Sequence, residues 1–465
     1  MKSFDYSTYL SPFTWRYGSE EMRKIWSEIY KRKLWRKIWV ELAKEQNKMG
    51  LVSESELDDI VKHQNTLDID RSHEIEKTLR HDLMAEIKTY ASFAKTGGGK
   101  IHLGATSYDI EDNTDTIRYK ESLVLIEEKL KKLLKEFSKK IKECKDLPCM
   151  AYTHLQPAEP TTLGYRFATY AQDILMDLKL LGFVRINLKG KGIKGAVGTS
   201  ASFVGLTDEK KAKEMEQHIM DSLGIKAVDI ATQIAPRKVE YFISSFLSSV
   251  AQTLNKFAFD IRIMQSPGFG EWQEPFSDKQ VGSSAMPFKK NPWKSEQICS
   301  LARVVINLGN ISKDNASNML LERTLDDSAN RRIYLPEIFL ATDEMLTSTI
   351  NILKGLIINK KNIEKNLNTY APFASTETIL MEGVKNGANR QEMHETLREL
   401  SMKAWDQLQK DNINSLFELI TNGPTINKFI KKEKFKTLFD PKKHIGLASK
   451  TCLKFLKIID DELSS

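Results

Sequence analysis

The sequence predicts an all-α protein, and three observations favour this fold class. Apolar residues recur every three or four positions over long stretches, as they do in amphipathic helices. One such stretch runs from Asn113 to about Lys145, a length that is typical of a helix bundle. Alternation of apolar and polar residues, the pattern of a half-buried strand, is almost absent, and there is no repeat of fixed period.

Three regions of the chain differ in pattern. The 465 residues, 41% of them hydrophobic, are enough for several domains, each with its own core. Short helical patterns rich in aromatic residues occupy 1–111, and the longest helical patterns occupy 112–360. A smaller, lysine-rich helical region occupies 361–465.

Charge narrows the class of protein. Lys plus Arg number 70 against 62 Asp plus Glu, which gives a net charge of +8. Such an excess can indicate nucleic-acid binding, but here basic and acidic residues alternate along helices, which is typical of solvated helix faces. No run approaches the ~20 apolar residues of a membrane span, and the start of the chain has no apolar signal core. We therefore expect binding to neither nucleic acid nor membrane.

The four cysteines show no metal-ligand spacing; they are Cys144, Cys149, Cys299 and Cys452. Reduced thiols in an intracellular protein are the simplest account of them. We therefore expect a cytoplasmic protein without a bound metal or cofactor.

In the N-terminal region, Glu20 to Met49 reads as one amphipathic helix. Arg16 and Tyr17 stand just before it, where a packing residue and a surface charge would be ordinary. Three consecutive polar residues follow in LRHDLMA: Arg80, His81 and Asp82. A lone histidine in such a place is more often a core residue than a catalyst, so this segment alone indicates no chemistry.

A glycine run then leads through His102 to the hydroxyl pair Thr106 and Ser107. A hydroxyl pair in a glycine-containing turn is a weak signal for a phosphate or carboxylate site. We expect the next helix to be capped near Asp112 or Asn113.

His154 lies in the segment Tyr152–Pro157, which we predict to be a short extended link between helices. A threonine precedes it and a proline-bounded turn follows. His218 and His394, by contrast, sit in charged helical patterns. This context makes His154 the strongest histidine candidate for catalysis.

The remaining elements of the centre are mostly helical. We predict helices over 161–188, 231–265, 293–317 and 330–358, with Gln233 near the start of the second. The glycine-rich GKGIKGAVGTSASF lacks the phosphate-loop spacing GxxxxGK[ST], so it indicates no nucleoside triphosphate site.

The stretch Gly282–Pro292 is predicted to be a mobile loop, because its glycine and prolines interrupt helical hydrogen bonding. Its polar groups are two hydroxyls, two ammonium groups and an amide, from Ser283, Ser284, Lys289, Lys290 and Asn291. The helix that follows has Pro292 at or near its first position, and its N-terminal backbone donors would favour an anion. This combination suits a substrate carboxylate and a developing negative charge, and leaves either serine as a candidate base.

An arginine cluster lies in ERTLDDSANRR, with Arg323, Ser328, Arg331 and Arg332. The planar guanidinium suits phosphate or carboxylate. Solvent-exposed ion pairs with the neighbouring acidic residues, Glu322, Asp326 and Asp327, are the alternative.

The loop SSAMPFKKN resembles the signature loop of the fumarase/aspartase superfamily, whose pattern is Ser-Ser-x-x-Met-Pro-x-Lys-x-Asn or its one-residue-shorter form. Within that superfamily, the chain resembles the adenylosuccinate lyase family. The resemblance is carried by this loop and by the segments TWRYGS, LRHDLMA, IHLGATS, YTHLQPAEPTT and ERTLDDSANRR, which together span nearly the whole chain. The resemblance implies an all-helical subunit of three domains, whose central long helices build the core of a homotetramer. We place these domains at 1–111, 112–360 and 361–465.

The resemblance also implies an activity. It is the release of fumarate from two phosphorylated succinyl-purines, adenylosuccinate (giving AMP) and succinylated aminoimidazole carboxamide ribotide, in purine nucleotide biosynthesis. The general acid resembles His154, and the base resembles Ser283, which lies six residues before Lys289. Glu296 resembles the carboxylate that orients His154, and Lys289 the cation at the developing charge.

The implied substrate contacts fall into three sets. The succinyl carboxylates are assigned to Lys289, Asn291, Thr106, Ser107 and Gln233. The phosphate and nucleotide are assigned to Arg16, Tyr17, Arg323, Ser328 and Arg332. The same pocket is lined by Arg80, His81, Asp82 and His102. Gln297 is a further implied substrate contact, at a position where some relatives are expected to carry arginine.

The chemistry needs residues of these types. Removing the proton beside a carboxylate builds a second negative charge on its oxygens, and each well-placed donor can lower that barrier by on the order of 3 kcal/mol. A neutral histidine can transfer a proton at physiological pH. A serine acts as a base only where its alkoxide is stabilised and loop closure excludes water.

Other functions are conceivable on the same pattern. A sister lyase such as argininosuccinate lyase, or a cycloisomerase, shares the signature loop, but the arginine cluster and Arg16–Tyr17 favour a phosphorylated substrate. A non-enzymatic structural relative would have lost the serine, histidine and lysine, and here all are present.

Helix length predicts a shared site. His102 and His154 flank a predicted helix of roughly 33 residues, which spans roughly 50 Å at 1.5 Å per residue. Gln233 and Ser283 flank another of similar length. Because residues at opposite ends of such rods cannot easily converge within one chain, we predict a closed oligomer, most simply a D2 tetramer, whose sites draw on several subunits.

Overall fold

The computed structural model describes residues 6–464, and helices dominate it. The α-helices among these residues are α1 (Glu20–Ile25), α2 (Glu28–Lys48), α3 (Glu54–His63), α4 (Ile69–Leu79), α5 (Asp82–Phe93), α6 (Ser107–Cys144), α7 (Leu163–Asn187), α8 (Ala201–Leu206), α9 (Glu209–Leu223), α10 (Lys238–Met264), α11 (Trp293–Ser317), α12 (Asp326–Lys354), α13 (Lys360–Lys385), α14 (Arg390–Asp411), α15 (Leu416–Thr421), α16 (Pro424–Asn427), α17 (Lys432–Leu438) and α18 (Ala448–Ser464). The strands form two antiparallel pairs, β1 (Pro148–Thr153) with β2 (Gln156–Thr162) and β3 (Trp272–Gln273) with β4 (Ile357–Ile358). The prediction of an all-α protein is confirmed.

The described chain divides into two compact units. The first unit comprises 6–130, 177–254 and 300–347, and the second comprises 131–176, 255–299 and 348–464. Five long helices, α6, α7, α10, α11 and α12, each contribute residues to both units.

One hydrophobic core of the first unit lies where α2 meets α3, α5 and α9. Leu34, Ile38 and Leu42 recur along one face of α2 and are almost fully buried. In the second unit a separate core joins α13 and α14 to the short helices that follow, around Ile379, Leu397 and Phe435. The 3.6-residue periodicity of apolar positions, visible in the sequence, therefore corresponds to real buried faces.

Between Tyr334 and Leu353, Asn351 is the only exposed residue of helix α12, so this length of the helix is buried on all sides. A helix that is buried all round is typical of the centre of a bundle. Within residues 6–464, no helix is both long and apolar enough to cross a lipid bilayer.

The helix predicted over Glu20–Met49 is interrupted. Helix α1 ends at Ile25, and Ser27 caps α2 by accepting a hydrogen bond from the backbone N–H of Tyr30 at 3.2 Å. A serine N-cap satisfies an otherwise unpaired donor of the new helix. The amphipathic pattern continues through this break, so periodicity alone did not reveal it.

The predicted cap near Asp112 or Asn113 is wrong, because α6 begins at Ser107. The carboxylate of Asp109 accepts the backbone N–H of Thr106 at 2.9 Å, which satisfies a donor at the helix start. Asp112 and Asn113 lie inside the helix and are buried, with partners from distant segments.

The helix predicted to begin near residue 231 begins at Lys238. Pro236 lies in the preceding segment, where the backbone N–H of Ala235 donates to the Asp112 carboxylate at 2.7 Å. Long-range bonding thus holds 231–237 in a non-helical path. The helix predicted over 330–358 is Asp326–Lys354 in the structure, and the helices predicted over 161–188 and 293–317 agree closely with α7 and α11.

The extended link predicted around His154 is the tip of the β1–β2 hairpin. Thr153 pairs with Gln156, so His154 and Leu155 form a two-residue turn. Their φ angles are +53° and +60°. Both central residues of a type I′ hairpin turn require such left-handed values, which residues other than glycine adopt at a cost.

Candidate functional site

The predicted site residues divide between the two units. The first unit holds the residues predicted to contact the nucleotide, with part of the carboxylate set: Arg16, Tyr17, Arg80, His81, Asp82, His102, Thr106, Ser107, Gln233, Arg323, Ser328 and Arg332. The second unit holds His154, Ser283, Lys289, Asn291, Glu296 and Gln297.

Arg16 and Tyr17 lie in the turn before α1, and the backbone of the two residues that follow them is held by acidic side chains of α12. The N–H of Ser19 donates to Asp343 at 2.6 Å, and the N–H of Gly18 donates to Glu344 at 3.2 Å. Gly18 has a φ of +83°, and a Cβ there would lie 2.7 Å from a methyl carbon of Leu340. Glycine is therefore required at this position, and the Arg16 guanidinium is left exposed.

Four predicted residues meet at the turn between α4 and α5: His81, Asp82, Ser107 and Arg332. His81 caps α5 and accepts the N–H of Met84 at Nδ1 (3.5 Å), while its Nε2 lies 3.4 Å from the hydroxyl of Ser107. Asp82 accepts from Arg332 at 2.7 Å. Burial alone would raise the pKa of Asp82, but Arg332 outweighs it and lowers the pKa below its ordinary value. The structure therefore joins the predicted residues of α5, α6 and α12.

His102 is a neutral side chain in this structure. Its Nδ1 accepts a hydrogen bond from the indole N–H of Trp39 at 3.1 Å, and burial lowers its pKa to about 4. The proton of a neutral imidazole that accepts at Nδ1 resides on Nε2. His102 is thus a hydrogen-bond donor rather than a cation at neutral pH.

The hydroxyl pair Thr106 and Ser107 is positioned by Asp109. This buried carboxylate accepts from Thr106 N–H, from the Lys191 ammonium at 2.6 Å and from the N–H of Gly195. The glycine-rich segment GKGIKGAVGTSASF therefore uses its backbone N–H to bind a carboxylate of the protein itself. It supports the start of α6, in agreement with the absence of a phosphate-loop spacing.

Arg323 lies in the turn before α12 with its guanidinium 4.3 Å above the ring of Tyr108. It donates to Asp327 at 2.7 Å. Asp327 is fully buried, so the alternative of a solvent-exposed ion pair does not hold for this carboxylate. The backbone N–H of Gln233 donates to the carbonyl of Glu322 at 3.3 Å, which brings Gln233 beside this turn.

A polar cavity of about 120 Å³ opens in the first unit beside these residues. Its walls include Asp82, Ser328 and Arg332, together with Glu111. Burial, together with the nearby Asp82 carboxylate, raises the pKa of Glu111 to about 8, so Glu111 carries a proton at neutral pH. Only one of these two carboxyl groups is ionised, which leaves Arg332 with a single anionic partner.

In the second unit, the hydroxyl of Ser283 accepts two backbone hydrogen bonds within the loop 282–292. Its Oγ accepts the backbone N–H of Met286 at 3.0 Å and that of Ala285 at 3.3 Å. Serine commonly forms such turns for structural reasons. The same two donors would also stabilise an alkoxide at this oxygen.

The ends of the loop are held together. The side-chain amide of Asn291 donates to the carbonyl of Gly282 at 2.7 Å, and Gln265 donates to the carbonyl of Lys290 at 2.9 Å. A Cβ at Gly282 would lie 1.9 Å from the carbonyl oxygen of Lys289, so only glycine fits there. The two loop ammonium groups are exposed between these anchors.

The backbone donors at the start of α11 are occupied by the protein itself. The buried carboxylate of Glu274 accepts the N–H of Lys294 at 3.2 Å and both the N–H (2.9 Å) and hydroxyl (2.8 Å) of Ser295. The expected attraction of this helix start for an anion is thus realised. The anion is a glutamate of this chain, so these donors are not open to a substrate carboxylate in this conformation.

His154 is exposed at the hairpin tip. Glu296 is exposed on the first turn of α11, and within the described residues no hydrogen bond or ion pair joins it to His154. Gln297 accepts from the Lys294 ammonium at 3.0 Å. The chain alone therefore leaves the predicted acid and its orienting carboxylate apart.

Three supporting residues were not predicted from the sequence: Glu111, Glu274 and Tyr108. Their types and spacing carried no signal, because each acquires its role from segments remote in sequence. The acidic pair Asp326–Asp327 is apparent in the sequence, but the sequence does not show that Asp327 is buried and Asp326 exposed.

Comparison with known proteins identifies the class. The sequence model of the family described as "Lyase" matches residues 7–307. Among solved structures, a fumarate lyase from Mesorhizobium sp. has a TM-score of 0.84 at 22% identity, covering 97% of this chain and 99% of its own. A 3-carboxy-cis,cis-muconate lactonizing enzyme from Pseudomonas putida has a TM-score of 0.85, again at 22% identity, covering 97% and 98%. The protein is a lyase with the fold of the fumarase/aspartase superfamily.

The family within that class follows from closer relatives. An adenylosuccinate lyase from Schistosoma mansoni is 40% identical over 90% of this chain and 88% of its own length. One from Saccharomyces cerevisiae is 36% identical over 97% and 95%. The family model described as "Adenylosuccinate lyase C-terminus" matches residues 372–455. The chain belongs to the adenylosuccinate lyase family.

Proposed function

We propose that this protein cleaves adenylosuccinate to AMP and fumarate, and that it also releases fumarate from succinylated aminoimidazole carboxamide ribotide, both in purine nucleotide biosynthesis. The observation that carries this proposal is the similarity along nearly the whole chain to proteins named adenylosuccinate lyase. The serine of the signature loop, with two backbone donors on its Oγ, supports it.

The proposed reaction is a β-elimination. Ser283, as the alkoxide, removes a proton from the succinyl carbon beside a carboxylate, and the electron pair forms the C=C bond of fumarate as the C–N bond breaks. His154 donates a proton to the departing nitrogen. Glu296 orients His154, and Lys289 stabilises the charge that develops on the carboxylate oxygens.

Two groups of residues are proposed to hold the substrate. The succinyl carboxylates are bound by Thr106, Ser107, Gln233, Lys289 and Asn291. Asn291 uses one amide N–H within the loop, and the second remains for a ligand. The phosphate and nucleotide are bound by Arg16, Tyr17, Arg323, Ser328 and Arg332, with Arg80, His81, Asp82 and His102 lining the pocket and Gln297 beside the loop.

The function is tested by turnover of the purified protein. The absorbance change with each succinylated purine is followed, and argininosuccinate serves as the comparison substrate. We expect cleavage of both succinylated purines and none of argininosuccinate. Turnover of argininosuccinate alone would make the protein a sister lyase, and no turnover of any of the three would refute the proposed activity.

We further propose a homotetramer whose sites are shared between subunits. Helix α6, with 38 residues, is about 57 Å long, so residues at its two ends cannot meet in one chain. Helix α7 exposes an apolar stripe, in which Met176 is 60% and Ile186 78% exposed, next to Phe183. Exposed apolar stripes of this kind are typical of subunit interfaces.

Complementation tests the shared site. Two inactive proteins, His154→Ala and Ser283→Ala, are mixed under subunit exchange. If the two groups come from different chains, random 1:1 assembly leaves roughly a quarter of sites intact. Failure to recover activity in verified mixed tetramers would show that both residues serve one site from the same chain.

We propose a cytoplasmic location as well. Among the described residues the four cysteines are buried and form no disulfide, which suits a reducing compartment. Fractionation of cells that express the tagged protein tests this.

A further inference from the structure

Beneath the proposed nucleotide contacts of the first unit lies a buried chain of alternating charges. It starts at Arg323, whose guanidinium donates to one oxygen of Asp327 at 2.7 Å and also to the hydroxyl of Tyr108. Since the guanidinium lies over the Tyr108 ring as well, three contacts fix its orientation. Its Nε–H is buried and has no partner among the described residues.

The second oxygen of Asp327 continues the chain. It accepts from Nε of Arg237 at 2.7 Å, and NH1 of Arg237 donates to Asp112 at 2.9 Å. Asp112 in turn accepts the backbone N–H of Ala235 at 2.7 Å. The relative exposures of Asp327, Asp112 and Arg237 are 0%, 2% and 4%, so water does not compete for these bonds.

The chain of charges links two segments with different proposed tasks. Ala235 lies two residues after Gln233, which is proposed to hold a succinyl carboxylate. Arg323 is proposed to hold the phosphate. Because Arg237 bonds to both buried carboxylates, a displacement at one end is resisted at the other.

We infer that Asp327 and Arg237 are positioning residues for substrate recognition. Asp327 sets the direction of the Arg323 guanidinium towards the phosphate, and Arg237, itself held by Asp112, keeps the Asp327 carboxylate in place. The inference rests on the proposed function and deepens it, because these two buried residues then determine how well the substrate phosphate is bound.

Asp327→Asn tests the inference, and Asp326→Asn is its matched control. Asp326 is the neighbouring residue in the first turn of α12, and it is exposed. For Asp327→Asn we expect KM for adenylosuccinate to rise roughly 10- to 100-fold, because one charge-assisted hydrogen bond to Arg323 is lost. We expect kcat to change less than about threefold, since binding and not chemistry is affected. Asp326→Asn should match the wild type.

The 5′-dephosphorylated substrate separates positioning from general damage. Its KM should change less than about threefold in Asp327→Asn, because it does not use Arg323. In an Arg323→Leu background, Asp327→Asn should add less than about twofold to KM, since coupled residues are not additive. Equal losses on both substrates, or additive losses in the double variant, would overturn the inference.

Two further measurements keep the test decisive. If Asp327→Asn does not fold, Tyr108→Phe is used instead, because it removes the hydroxyl that accepts from Arg323 and keeps the aromatic ring. KM should then rise roughly 3- to 10-fold for the phosphorylated substrate only. An unchanged KM would overturn the inference. Titration with AMP and with adenosine measures the contribution of the phosphate to binding affinity without turnover. A wild type that binds AMP but cleaves nothing would refute the proposed function, while loss of AMP affinity in Asp327→Asn would still support the positioning role.

Discussion

Replacing Ser283 by alanine should nearly abolish turnover, while the same change at Ser284 should not. The two hydroxyls are neighbours in the loop 282–292, but only Ser283 has its oxygen beside backbone donors, at 3.0 and 3.3 Å. Ser284 is exposed, and among residues 6–464 its hydroxyl has no hydrogen-bond partner. The pair is therefore a matched test of which serine is the base.

The magnitude follows from the two donors. A hydrogen bond to a charged group contributes about 1.5–3 kcal/mol, so two of them favour the alkoxide by about 3–6 kcal/mol. At about 1.4 kcal/mol per factor of ten, the alkoxide population rises by a factor of about 10² to 10⁴. General-base catalysis typically contributes about 10²- to 10⁴-fold, so Ser283→Ala should lower kcat by about 10³-fold. Ser284→Ala should stay within about fivefold of the wild type.

The assay is steady-state cleavage of adenylosuccinate, with calorimetric titration of the substrate onto the inactive variant. Binding to Ser283→Ala should be within about threefold of the wild type, because the hydroxyl acts on the proton and not on affinity. If Ser284→Ala were the inactive variant and Ser283→Ala stayed active, the two N–H contacts would be a structural turn and the base assignment would be wrong.

Three other outcomes are expected. His154→Ala should lose most activity, whereas His218→Ala and His394→Ala stay near wild type in the same assay; comparable losses at all three would contradict the assignment. Arg332→Leu should raise KM for adenylosuccinate more than it lowers kcat and spare the dephosphorylated substrate, so equal effects on both substrates would argue against a phosphate contact. Folding raises the pKa of Glu111 from 4.5 to about 8. The folded chain then binds a proton that the unfolded chain has lost, so stability should fall from about pH 5 to pH 8 by up to about 1.4 kcal/mol per unit. Urea unfolding of Glu111→Gln should lack this fall; parallel curves for the variant and the wild type would refute it.

The sequence by itself determined the fold class, most helices and the identity of the signature loop. Helix α7 and helix α11 were predictable because helix periodicity is local, repeating at three and four residues. The loop serines, lysines and Asn291 were recognisable because their order is contiguous in the chain. The family and its activity rest on such local segments.

Only the tertiary structure decided which charges are buried and what they hold. Arg237 and Asp112 are separated by 125 positions, and Arg332 and Asp82 by 250, so no local pattern joins them. The start of α6 and the occupied donors of α11 likewise depend on carboxylates whose burial is set by packing. A carboxylate in the sequence has the same side chain whether exposed or buried; its partner, its protonation and its role are determined by the segments that exclude water around it.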